Sequence, residues 1–189
     1  MEITETLYVT TPAQWRRWLQ KNSSKKKEIW LVYYNKASGK KRISYNDAVD
    51  QALCFGWIDS IMKKIDRHSH AQRFTPRRNT SILSQLNKER VRKLIAEEKM
   101  TPAGLKAIEH VFNPQNDKAE LKIPKGILSA IKKDKAAWKN FQSLPERYKR
   151  IRIAYILDRK GWREKEYKAS LKYFIKMTAK GKRFGFVRE

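Results

Sequence analysis

Apolar and polar positions repeat with different periods along the chain. Over residues 12–21, Trp15, Trp18 and Leu19 fall at i, i+3 and i+4, one face of a helix. Thr11 suits the N-cap of that helix and Pro12 its first position. Residues 28–36, EIWLVYYNK, predict a buried strand. A turn at Ser38 and Gly39 precedes a helix opened by Ser44 or Asn46, carrying Ala48, Val49, Ala52 and Leu53 and ended by Gly56. Residues 57–66 and 70–76 predict two further strands joined by a hairpin loop. Next comes a long helix capped by Thr80 or Ser81, with Ile82, Leu83, Leu86, Val91, Leu94 and Ile95 as its apolar stripe. Thr101 and Pro102 open another, running to Val111.

After a polar stretch at 113–122, only helical periods remain. Pro124 opens a helix with Ile127, Leu128 and Ile131 on one face. Asp134 caps a second, carrying Trp138 and Phe141. Ser143 and Glu146 have the S-x-x-E spacing of a capping box and open a third, lined by Tyr148, Ile151 and Tyr155 and closed by Gly161. The last helix runs from about Arg163 to Lys180. The order predicts an α+β fold, mostly helical, with a small antiparallel sheet in the N-terminal half and a basic helical C-terminal region. The corresponding domains are 1–113 and 123–189, with 114–122 as linker or surface loop.

Charge changes this picture. Against 19 acidic residues stand 44 basic ones, a formal net charge of +25. Such a field attracts polyanions: nucleic acid, anionic lipid headgroups or acidic proteins. On the last helix, Lys165, Lys168, Lys172, Lys176 and Lys180 are spaced 3, 4, 4 and 4, which puts five ammonium groups on one stripe. The stripe predicts docking of a polyanion, nucleic acid first, without base specificity. The competing reading is an ordinary amphipathic helix with a solvated lysine face. Tyr167, Leu171 and Phe174 form the opposing apolar stripe, too small to serve both a core and a membrane surface.

The remaining chemistry is sparse. The longest nearly continuous apolar stretch, Ala52 to Ile58, is too short to cross a bilayer. The first residues carry no basic and apolar export pattern, and a cytoplasmic location is expected. The single cysteine, Cys54, excludes an internal disulfide and reads as an inert core thiol. His68 and His70 find no third ligand beyond Asp66 and distant His110, so no metal is expected. No P-loop, dinucleotide fingerprint or G-x-S-x-G is present, and no nucleophile is identified beside a base. A non-enzymatic protein without a cofactor is the expectation.

One anion pocket is weighed against this. Arg73, Arg77 and Arg78 flank Phe74 and Pro76, and Ser81, Ser84 and Asn87 follow at i, i+3, i+6. Arginines beside a helix N-terminus with hydroxyls suit a phosphate or carboxylate, with Tyr45, Trp57 and Asp59 as walls. The structural alternative makes Ser81 a cap, pairs Arg77 with Asp59 and places Trp57 in the core.

Several motifs occur in order: W-L-V-Y-Y-N-K (Trp30 to Lys36), A-L-C-F-G-W-I-D (Ala52 to Asp59), R-F-T-P-R (Arg73 to Arg77), S-x-x-S-x-x-N-K (Ser81 to Lys88) and M-T-P-A-G-L (Met100 to Leu105). Together they resemble the YdeI/OmpD-associated, or bacteriocin-protection, family over most of the chain. Ser60 stands where that family typically has Gly, Asp66-Arg67 where an acidic pair is common, and Leu83 where Trp is usual. The resemblance implies a role in stress tolerance. A strongly cationic chain would repel cationic antimicrobial peptides, so sequestering them is not expected.

Overall fold

The computed structural model describes residues 2–117, 119–160 and 163–185. The Gly161 expected to close a helix lies outside the described residues. The chain divides into two compact units, one of residues 1–83 and 90–116, the other of residues 84–89 and 117–189.

The first unit is built on a four-stranded sheet of order β1-β2-β4-β3. Strand β1 (Thr6–Leu7) pairs parallel with β2 (Ile29–Tyr34). Strands β3 (Trp57–Lys64) and β4 (Ser69–Pro76) form an antiparallel hairpin, and β4 also runs antiparallel to β2. The sheet is therefore mixed and not purely antiparallel. Two residues of β1 are too few to show a period of two, so no sequence pattern announces that strand.

Helix α1 (Pro12–Asn22) opens with the expected cap: Thr11 Oγ1 accepts from the Gln14 N–H, and the Gln14 side chain accepts from the Thr11 N–H in return. Its apolar face buries Trp15 and Leu19, and Trp15 Nε1 donates 3.0 Å to the Ala48 carbonyl of α2 (Tyr45–Cys54). Ser44 caps α2, and Gly56, at φ +73°, turns the chain from its end into β3. A short helix α4 (Pro102–Lys106) crosses α2 where Gly104 has no side chain: a Cβ there would lie 2.2 Å from the Cys54 carbonyl oxygen. The helix expected to reach Val111 ends at Lys106, and turns follow. Trp15, Trp57 and Phe74 lie at the centre of this unit's core with Cys54, whose thiol burial pushes up in pKa.

Helix α3 (Gln85–Ala96) starts three or four residues later than its expected cap at Thr80 or Ser81 requires. The Arg78 N–H donates to Ser81 Oγ, the Ser81 N–H to the Arg78 carbonyl, and Arg77 Nη1 to the Ile82 carbonyl. These local bonds satisfy the backbone in a turn, so Ser81 is not the cap. Ile82 is 85% exposed, while Leu83 enters the first unit's core. Ser84 takes the capping role, its Oγ accepting from the Asn87 N–H.

The second unit contains α5 (Lys125–Lys132), α6 (Lys135–Gln142), α7 (Glu146–Lys160) and α8 (Glu164–Ala179). Asp134 caps α6 as expected. The S-x-x-E pattern does not form its capping box: Ser143 ends α6, with its hydroxyl donating to the Asn140 carbonyl. Ile127, Ile131, Phe141, Tyr148, Ile156 and Phe174 make the core. Arg150 of α7 forms a two-point ion pair with buried Glu89, its Nε at 2.6 Å from Oε1 and its Nη2 at 3.1 Å from Oε2.

Candidate functional site

The sequence-predicted pocket is only partly assembled. Tyr45 begins α2 and donates its hydroxyl 2.7 Å to Asp59 Oδ2 on β3. Arg77 follows β4 and is 8% exposed; its Nη1 reaches the Ile82 carbonyl at 3.2 Å, and its Nε and Nη2 have no hydrogen-bond partner among the described residues. Burial lowers the Arg77 pKa, and the Asp59 charge opposes that shift. Burial raises the Tyr45 hydroxyl pKa, with the bond to Asp59 as the second cause. Behind them, Tyr33 of β2 is buried with an unpartnered hydroxyl, its ring stacked on His70 at 5.4 Å.

The other predicted members go elsewhere. Arg73 points to the face of β4 opposite Phe74, and its guanidinium is taken by Glu28 of the neighbouring strand edge. That ion pair removes Arg73 from the predicted pocket. Trp57 is a core residue, 1% exposed, its Nε1 donating to the Ser23 carbonyl and its ring edge-on to Trp18 at 5.8 Å. Its ring is thus taken up by the first unit's core. Arg78 and Ser81 serve the local turn, Arg78 with an exposed side chain. Ser84 and Asn87 form the cap of α3 within the second unit. The helical i, i+3, i+6 spacing failed because Ser81 precedes the helix.

The lysine stripe, in contrast, is laid out as its spacing requires. Helix α8 places Glu164 and Glu166 in its first turn and Lys176 in its last, in accord with the helix dipole. Phe174 and Thr178 are buried, and Lys165, Lys168, Lys172, Lys176 and Lys180 are all exposed. At 1.5 Å per residue the stripe extends roughly 22 Å. Lys168 pairs with Glu164 at 3.5 Å; among the described residues the other four make no ion pair. From Tyr167 to Gly185 the sequence contains six Lys or Arg residues and no Asp or Glu.

Sequence reasoning missed Arg152, buried on α7 beneath the rings of Tyr155 and Phe184. Its signal was an Arg at i−3 from Tyr155, with Arg159 at i+4, which reads on sequence alone as a solvated basic face. Among the described residues no group of three or more His, Cys, Asp or Glu side chains is placed to hold a metal. No helix among them is long and apolar enough to cross a membrane.

The fold defines an α+β protein with a mixed-sheet unit and a basic helical unit. Residues 7–107 match the model of a domain family of unknown function, DUF8412, and the chain belongs to that family. Residues 120–181 match the family described as bacteriocin-protection, YdeI or OmpD-associated. That second match is carried by the helical segment, whereas the motifs between Trp30 and Leu105 fall in the first. Among curated proteins and among solved structures, nothing matches.

Proposed function

We propose that the protein docks on a polyanion, nucleic acid first, through the lysine face of α8. The observation that carries this reading is the segment from Tyr167 to Gly185, six cations without a carboxylate, with four of the stripe's five lysines unpaired among the described residues. Like-charged neighbours at i, i+4 destabilise an isolated helix by a few tenths of a kcal/mol each, roughly, and an anionic surface removes that penalty. Lysine ammonium groups suit phosphate as point charges and carry no base code. The YdeI/OmpD-associated match suits a stress-tolerance protein acting on such a polymer. Direct capture of cationic peptides is disfavoured by the net charge of +25.

Fluorescence anisotropy with short duplex DNA and single-stranded RNA across a salt series tests the reading. For each tenfold rise in salt, affinity should fall by about 0.9 logarithmic units per phosphate contacted on duplex DNA and about 0.7 on a single strand. The double substitution Lys172→Glu, Lys176→Glu should weaken binding at least about tenfold and flatten the salt slope by about 2. Salt-independent binding, or an unchanged slope in the double variant, overturns it.

A further inference from the structure

A cleft of about 590 Å³ opens within the second unit, lined by one face of α7, one face of α8, the first turn of α3 and the segment after α8. That volume is in the range of small-molecule sites. Its walls are mostly apolar: Leu86 and Ile151 contribute aliphatic surface, and Tyr155, Tyr173 and Phe184 aromatic surface. Ser84 and Ser170 add hydroxyls, and Ser84 caps the positive end of the twelve-residue α3.

The decisive feature is Arg152, which lines this cleft while only 7% exposed. Its guanidinium carbon lies 4.0 Å from the Phe184 ring centroid and 4.6 Å from that of Tyr155. No carboxylate among the described residues pairs with it, and its Nε has no hydrogen-bond partner. The chain after α8 closes over it: a Cβ on Gly185, at φ +91°, would sit 2.9 Å from Arg152 Nη1. Burying a charge without a counter-ion is costly, and elsewhere in this unit the rule is obeyed, since buried Glu89 is held by Arg150. A cavity beside a buried guanidinium that has ring contacts but no ionic or hydrogen-bond partner among the described residues is therefore a place for a missing anion.

We propose that this cleft binds a small carboxylate carried on an aromatic or otherwise apolar body. The planar Arg152 fork matches a carboxylate edge, and the rings and aliphatic walls take the body. A single negative charge suits the site better than a phosphate dianion, because Asp158 also lines the cleft and repels a dianion about twice as strongly as a monoanion while one guanidinium attracts it. This site and the lysine face of α8 are independent: the first asks for one charge in an apolar cavity, the second for a row of charges on a surface.

Calorimetric titration with 1-naphthoate tests the proposal, with 1-naphthamide and 1-naphthyl phosphate as the neutral and dianionic arms. Naphthoate should bind saturably, one per chain, and at least about tenfold tighter than either analogue. Arg152→Lys keeps the net charge and should weaken naphthoate about tenfold or more, whereas Arg77→Lys in the first unit should leave it unchanged. Ala169→Phe, which fills the cleft without altering Arg152, should abolish binding and covers the case in which Arg152→Lys does not fold. Naphthoate that fails to saturate, that binds no better than the amide, or that survives both cleft variants overturns the proposal; preference for the phosphate overturns its carboxylate assignment.

Discussion

The two units handle positive charge in different ways. In the sheet-bearing unit three arginines are consumed by the fold. Arg73 is taken by Glu28, and buried Arg90 by Asp50 together with the Asn46 side chain. Arg16 reaches the Gln51 side chain and the Lys99 carbonyl. In the helical unit some arginines are tied as well, Arg150 to Glu89 above all, but the lysines of α8 project into solvent, and among the described residues only Lys168 of the stripe pairs with a carboxylate. Similar excesses of charge, +11 over residues 1–114 and +14 over residues 115–189, thus have different physical meanings. Partnered arginines hold a structure together, and exposed lysines without an ion pair remain available to something outside it.

That contrast can be broken most forcefully through the cores. Trp57→Ala removes a fully buried ring and its bond to the Ser23 carbonyl, and should cost about 3–5 kcal/mol in urea unfolding. Phe174→Ala should cost a similar amount through the second core, since its ring sits against Phe141 and Phe184.

The charge comparison itself is sharpened by a matched pair. Arg73→Gln should destabilise by about 1–3 kcal/mol while leaving DNA affinity and its salt slope unchanged. Lys172→Gln should change stability by less than about 0.5 kcal/mol yet lower the salt slope by about 1. The reverse pattern would mean that the two kinds of cation had been wrongly separated.

A smaller effect concerns acid. The Thr4 hydroxyl first, and then the Arg73 guanidinium, hold the Glu28 carboxyl below its ordinary value of 4.5. The unfolded chain therefore takes up this proton more readily than the folded one. The stabilisation is complete above the ordinary carboxylate range and is lost as pH falls through the depressed folded value. Glu28→Gln should flatten the loss of stability below about pH 4.5, read from urea midpoints. The smallest effect is expected at His70, whose imidazole burial, with a contribution from Arg42, lowers in pKa below 6.5. Its contribution is present above that value and fades as pH falls below it, so His70→Gln should flatten the stability profile slightly on that side.

The sequence by itself determined the α+β class, the caps at Thr11 and Asp134, the hairpin of β3 and β4, and the lysine stripe; between Ser44 and Asn46 as the cap of α2, the structure chose Ser44. Each of these rests on near neighbours in the chain or on a period repeated over several turns, so the residues carry the signal unaided. Tertiary structure alone decided the rest. β1 exists because β2 offers it an edge. Ser81 lost its capping role to a turn closed by Arg77 and Arg78. Arg73 was drawn away by Glu28, 45 positions distant in the chain. Arg152, with the spacing of a solvated residue, became a buried guanidinium because Phe184 folds over it from a distant segment. Long-range pairing and burial depend on which surfaces meet, and local periodicity does not encode that.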